Sequence, residues 1–187
     1  MEPEDLDPID PRVRILRWVI CGLLAIGFGA CMAEGANNPP DPKVTESSFP
    51  DFGEIGFRIS PPTEGSLPST TELCALLAAT PEQRVQGLMT VTDLEGYPGM
   101  IFRYPADSTG GFFMRNTPMP LSIAFFAADG RFVSSADMEP CDDRSDCPVT
   151  SATGPYRFAL EVPKGQLPSL GIGPGSVLEV TGACPST

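Results

Sequence analysis

Six cysteines, seven methionines and no histidine set the chemistry open to this 187-residue chain. Without an imidazole there is no ready general base near neutral pH, and the commonest metal ligand is missing. A serine triad lacks its base for the same reason. Cys141 and Cys147 bracket an acidic loop, Asp142-Asp143-Arg144-Ser145-Asp146. A catalytic dithiol wants positive surroundings, whereas Glu139, Asp142, Asp143 and Asp146 crowd this one with negative charge. A metal centre needs more ligands than two thiols. The expectation is therefore a Cys141–Cys147 disulfide, provided the chain is exported. Cys74 lies in an early apolar segment and Cys184 follows the last one. If those segments are neighbours in space, a Cys74–Cys184 bridge ties the two ends of the body together. No metal and no cofactor are expected.

Three further groups could bind something. Met89, Met100, Met114, Met119 and Met138 fall in one stretch, and thioethers suit cuprous ions. The plainer reading is that they fill an irregular core, with strand alternation scattering them over two faces. Arg84, Met114, Arg115, Asn116 and Thr117 are the candidate ligand-binding surface. Arginine offers a donor fork for carboxylates, Asn and Thr orient a ligand, and Pro118 and Pro120 stiffen the loop. Alternatively, Arg84 and Arg115 pair with Glu161 or Glu139, and Asn116 serves a turn. Glu161 is a lone acid, expected to be exposed or arginine-paired, since acid–base catalysis would need a second carboxylate beside it.

The chain must deliver these groups somewhere oxidising. Arg12, Arg14 and Arg17 precede an uncharged apolar run, Trp18 to Ala33, too short to span a bilayer comfortably. It contains Phe28-Gly29-Ala30-Cys31, which resembles the lipobox of bacterial lipoproteins and makes Cys31 the expected lipid attachment site. Residues 1–31 are read as this signal; an uncleaved anchor and an ordinary cleaved signal are the alternatives. Residues 32–70, rich in Pro, Ser, Asn and acids, read as a disordered tether, within which Ile55 to Ile59 could form an edge strand or dock on the domain. The net charge is −12, and −10 without the first 31 residues, which carry five acids and three arginines. So acidic a body repels phosphate backbones, which excludes nucleic acid as a partner. Membrane contact then has to come through the N-terminal lipid or anchor.

The folded body, residues 71–187, shows short strands punctuated by turns. With 22 prolines and 19 glycines in the chain, a helical bundle is excluded. Leu73 to Ala79 reads as an apolar strand. Thr80-Pro81-Glu82-Gln83 reads as a helix start with a capping box. Met100 to Phe102 and Phe112 to Met114 are brief strands. Leu121 to Ala127 and Arg131 to Ser135 flank Ala128-Asp129-Gly130 as a hairpin. Phe158, Leu160 and Val162 alternate with Ala159 and Glu161 as a half-buried strand, and Val177 to Thr181 forms another. The expected fold class is mainly β: a small antiparallel barrel or sandwich with one or two short helices.

Motifs in order along this body resemble the DUF192 family, also called UPF0127. They are Arg84-Val85-Gln86-Gly87-Leu88-Met89, Gly99-Met100-Ile101-Phe102, Phe113-Met114-Arg115-Asn116-Thr117 and Pro120-Leu121. Glu139-Pro140-Cys141, Tyr156, Leu160-Glu161, Gly165, Gly171-Ile172 and Gly175 continue the match to about residue 181. The resemblance implies a compact β structure, often secreted, and no established activity. Ser122 and Ser176 stand where the family usually has aspartates, and Val91 where it usually has an arginine. The expected function is a lipid-anchored envelope domain that binds a small ligand, an envelope polymer or a partner protein. An envelope enzyme of unknown class and a Met-based Cu(I) site are the alternatives.

Overall fold

The computed structural model describes residues 49, 51–61 and 71–185. The expected signal segment with Cys31 and most of the expected 32–70 tether lie outside the described residues. Nine strands and one α-helix are present among them: β1 (Gly53–Ser60), β2 (Leu73–Ala78), α1 (Pro81–Gln86), β3 (Met100–Ser108), β4 (Gly111–Phe113), β5 (Leu121–Phe126), β6 (Phe132–Met138), β7 (Val149–Ser151), β8 (Tyr156–Pro163) and β9 (Val177–Gly182), with a 3-10 turn at Pro168–Leu170. Seven strands form one sheet in the order β6-β5-β8-β3-β2-β1-β9, and β4 pairs with β7 as a separate ribbon. Only β2 and β3 run parallel; that pair needs a crossover, which α1 and the loop after it supply.

The large sheet curls until its two edge strands meet at one corner. Arg131 bridges Val177, the Phe132 amide donates to the Ser176 carbonyl, and the Leu178 amide donates to the Gly130 carbonyl. Gly130, the hairpin glycine, is therefore also the closure point. Its φ is +81°, and a Cβ there would stand 2.0 Å from the Leu178 carbonyl oxygen. The result is a mainly β half-barrel with one lone helix, as the strand pattern predicts.

Two apolar clusters flank the sheet. Inside the curl, Phe57, Ile59, Ile101, Ala124, Phe126, Leu160, Val162 and Leu178 pack together. On the opposite face, Leu76, Met100, Phe102, Ile123, Phe125 and Ala159 meet a covering layer that includes Leu88, Leu94, Phe112, Met114 and Cys141. Two expectations are corrected here. Residues 53–60, assigned to the tether on composition, form β1, which lies between β2 and β9 rather than at an edge. Its Ile55, Phe57 and Ile59 are buried, and the apolar area they remove from water offsets the ordering cost of a proline-flanked segment. Likewise β8 is covered on both faces from Ala159 to Val162, not half-buried.

Both disulfides are closed. Cys141–Cys147 spans the short acidic loop, with Cα atoms 6.0 Å apart. Cys74–Cys184 joins β2 to the segment after β9, with Cα atoms 5.1 Å apart. The strands it ties are not hydrogen-bonded neighbours: β1 runs between them, with Gly56 in register with both Cys74 and Gly182. Among the described residues no helix is long and apolar enough to cross a membrane.

Candidate functional site

The unusual group in this fold is Glu161. It sits on β8 between β3 and β5, directly across from Met100 on one side and Ile123 on the other. Both neighbours belong to the covered apolar face, so the carboxyl group is carried into that layer with them. Gly99 makes the placement feasible by letting the chain pass hard against β8. A Cβ at Gly99 would lie 2.1 Å from the Glu161 carbonyl oxygen. Glu161 is only 5% exposed, and its carboxylate has no hydrogen bond and no ion pair among the described residues. Burial alone pushes its pKa up from 4.5 to about 8.

The carboxyl group borders a cavity of about 340 Å³ roofed by α1 and β4. Local sequence fixes that roof. Thr80 caps the helix by accepting from the Gln83 amide, and Gln83 Oε1 in turn accepts from the amides of Ala79 and Thr80. Gln83 Nε2 reaches across to the Asp51 carbonyl at 2.7 Å, fastening the helix to the chain leading into β1. Arg84, on the same helix, points to the cavity. Its Nη1 donates to the carbonyls of Ala79 (2.5 Å) and Arg103 (3.1 Å), and its guanidinium lies 4.8 Å over the Tyr104 ring. Phe102 and Phe112 meet edge to face with ring centres 5.0 Å apart and form apolar wall; Leu88, Met89, Phe113 and Thr117 complete much of the rest. Burial raises the Tyr104 phenol, which stays protonated over the whole neutral range.

The five residues proposed from sequence as a binding surface do not converge on one spot. Arg84 and Thr117 line the Glu161 cavity. Met114 is buried in the covering layer. Arg115 turns to the disulfide loop, where its Nε lies 3.6 Å from Asp143 and its guanidinium 5.7 Å from the Phe113 ring centre. Asn116 adopts a left-handed backbone, φ +55°, and its amide and carbonyl bond Cys141 and Thr90. It serves a turn. Thr117 Oγ1 donates back to the Arg115 carbonyl.

The expected ion pairs differ as well. Glu139 pairs with Lys164, Arg115 with Asp143, and Arg84 with no carboxylate among the described residues. The methionines are not scattered over two faces. Met100, Met114 and Met138 are buried in the same apolar cluster, Met119 packs against it, and Met89 lines the cavity. They converge because β3, β6 and the loop after β4 all feed the one covered layer. Ser122 and Ser176 are buried and do not line this cavity, and are bonded to turn amides at Gly165 and Gly173. Glu54, Cys74 and Cys184 come together closely enough to suggest a metal cluster, but the two sulfurs are already joined to each other. Sequence reasoning passed over Glu161 because alternation on β8 assigns it to a solvent face. The available signal was its immediate setting, Leu160 and Val162 on either side in a strand flanked by other apolar strands.

Comparison with known proteins gives a consistent picture. The DUF192 family, described as an uncharacterized ACR, matches residues 65–180. A proposed transcription regulator from Sinorhizobium meliloti 1021 is similar in structure, with a TM-score of 0.59 and 26% identity over 71% of this chain and 97% of that one. A protein of unknown function from Novosphingobium aromaticivorans DSM 12444 gives a TM-score of 0.55 and 29% identity over 67% of this chain and 84% of the other. No curated protein matches.

Proposed function

Starting from a chain that belongs to the DUF192 family, we propose that its β body is a small-molecule binding domain with Glu161 as the polar anchor of the site. One observation carries this reading: a carboxyl group 5% exposed and without a partner among the described residues borders a cavity whose walls combine apolar side chains with a few polar ones, Arg84, Gln86, Tyr104 and Thr117. Burial disfavours the charged form of this carboxyl group, and no protein group among the described residues answers it, which leaves its oxygens available to whatever enters the cavity. A few convergent polar groups in an apolar pocket near the lower end of the usual size range is the common form of a small-ligand site. The setting we propose is the cell envelope, with the chain exported by its first 31 residues and held by lipid on Cys31. The two disulfides are in keeping with an oxidising compartment. Mass spectrometry of the membrane fraction tests the anchor, and an unlipidated chain in the soluble fraction rejects it.

A thermal-shift screen of small molecules on the full chain tests the site. Hits should raise the melting temperature of wild type but not of Met89→Trp, which fills the cavity from its rim, and those that carry a positive charge should lose their effect on Glu161→Gln. Hits that act equally on all three proteins would reject the cavity.

An enzyme is the second reading, favoured by the same residue, since a carboxyl titrating near neutral pH suits proton transfer. The cavity lining offers no second carboxylate and no thiol to work with it. Binding is the reading we prefer. The regulator name of the Sinorhizobium relative does not suit this chain, whose net charge of −12 opposes DNA.

A further inference from the structure

We infer that the cavity takes a small zwitterion, an amino acid with an apolar side chain, its carboxylate on Arg84 and its amine on Glu161. This deepens the binding reading above and rests on it. Two ionisable groups on the wall of this cavity, Arg84 and Glu161, lack an opposite charge among the described residues. Arg58, Arg115, Arg131, Arg144, Arg157 and Lys164 each have an acidic partner. Arg103, exposed and not part of the cavity lining, has none among the described residues, and neither has Arg84, although the body around it is strongly acidic. Glu161 has none either, and the two line the same cavity without touching each other.

The unused part of Arg84 is specific. Its Nη1 is committed to the Ala79 and Arg103 carbonyls, which fixes the plane of the guanidinium. Nε and Nη2 make no hydrogen bond among the described residues, and together they form the side-on edge that grips a carboxylate through two parallel bonds. At the other pole, a carboxyl group in an apolar wall gains most from a ligand that brings a positive charge and several donors. An ammonium does both, and it converts a costly unpaired acid into a bonded pair. A ligand carrying only one of these groups leaves the other pole unsatisfied.

The same cavity is bordered by aromatic rings, with Phe102 and Phe112 in edge contact. The mouth is apolar as well. The exposed large hydrophobic side chains among the described residues are Val85, Phe113 and Val149. Val85 and Phe113 line this cavity, and Val149 pairs with Phe113 across the β4–β7 ribbon. Surface apolar groups collected at one opening are a place for an apolar side chain to rest.

Titration calorimetry on the full chain with three matched probes tests the inference: L-phenylalanine, 3-phenylpropanoate (no amine) and 2-phenylethylamine (no carboxylate). L-phenylalanine should bind at least tenfold more tightly than either. Glu161→Gln should erase its advantage over 3-phenylpropanoate while leaving 3-phenylpropanoate itself unchanged. Arg84→Lys, checked for a native melting curve, should erase its advantage over 2-phenylethylamine. If L-phenylalanine binds no more tightly than its two fragments, or not at all, the zwitterion is wrong. The cavity survives that result if a fragment binds wild type and fails to bind Met89→Trp. Binding of L-phenylalanine that none of these variants disturbs would sink both readings.

Discussion

The two faces of β8 are built from adjacent residues and treat water in opposite ways. Leu160 and Val162 point into the closed curl, where the buried neighbours are nearly all apolar, Ser122 across from Val162 being polar. Ala159 and Glu161 point to the covered face, where a helix, a ribbon and a loop leave a cavity with a carboxyl group on its wall. The first face is sealed mainly by the sheet itself, because its strands supply most of the packing, with Leu167 and Ile172 added from the β8–β9 segment, and the edges meet at Gly130. The second is sealed by separate pieces, each pinned by a few hydrogen bonds, such as Gln83 to Asp51 and Arg84 to Arg103. A barrel interior filled by side chains gives stability, whereas a roof assembled from short elements gives a place to hold a ligand. Division of labour between the faces is thus the main physical proposition, and it can be broken at several points.

The largest effect is expected in the closed curl. Phe57 is fully buried there, so Phe57→Ala should cost about 3–5 kcal/mol of stability by lost burial plus the cavity left behind. Chemical denaturation would measure it. A loss below about 1 kcal/mol would mean that the curl is not the structural core.

Glu161→Gln should act in the opposite direction. In the folded protein the group holds its proton up to about pH 8, against an ordinary value near 4.5. The stability it contributes is therefore fully present at low pH and lost as pH rises between those two values, then constant above. Glutamine cannot titrate. The advantage of Glu161→Gln over wild type should widen from pH 5 to pH 8, reaching a few kcal/mol, and level off by pH 9. Denaturation curves for both proteins at pH 5, 7 and 9 provide the check, and a difference that shrinks with rising pH would contradict the burial of this group.

Gly99→Ala comes next, at about 1–3 kcal/mol, the usual cost of forcing an extra group into a packed contact. The displaced atom would be the Glu161 carbonyl oxygen, 2.1 Å from the new methyl. This substitution should therefore weaken ligand binding along with stability. Gly130→Ala, at the closure point, should lower stability and leave affinity alone. Similar binding losses in the two variants would dissolve the distinction between the faces.

How much of this is legible in the sequence follows the same division. Short-range features are readable: the capping box from Thr80 to Gln83, the Asp129-Gly130 hairpin and the Cys141–Cys147 loop all involve residues within a few positions of each other. The Cys74–Cys184 bridge is readable only conditionally, because what holds its ends close is β1, hidden in a proline-rich stretch by composition. Glu161 is misread for a related reason. Whether the odd-numbered face of β8 meets water depends on α1 and β4, which lie some fifty to eighty residues earlier in the chain. Period-2 alternation reports which side chains share a face, not what covers that face. The resemblance to DUF192 identifies the motif residues without sorting them, so Arg84 and Arg115 look equivalent until the fold turns one to the cavity and the other to the acidic loop.

That last contrast yields the smallest stability effect and the sharpest functional one. Phe113 is 42% exposed at the cavity mouth, so Phe113→Ser should change stability by no more than about 1 kcal/mol. Its ring also lies beside the Arg115 guanidinium, a contact worth about 0.5–1 kcal/mol at an exposed site, which sets the upper end of that loss. If the mouth serves an apolar ligand, affinity should fall several-fold while the melting temperature hardly moves. Arg115→Ala, on the far side of the same ring, removes the cation and should leave affinity within twofold. Calorimetry on the two variants separates the cavity from the acidic loop as the binding surface. Loss of binding in Arg115→Ala with Phe113→Ser unaffected would move the site off the Glu161 face altogether.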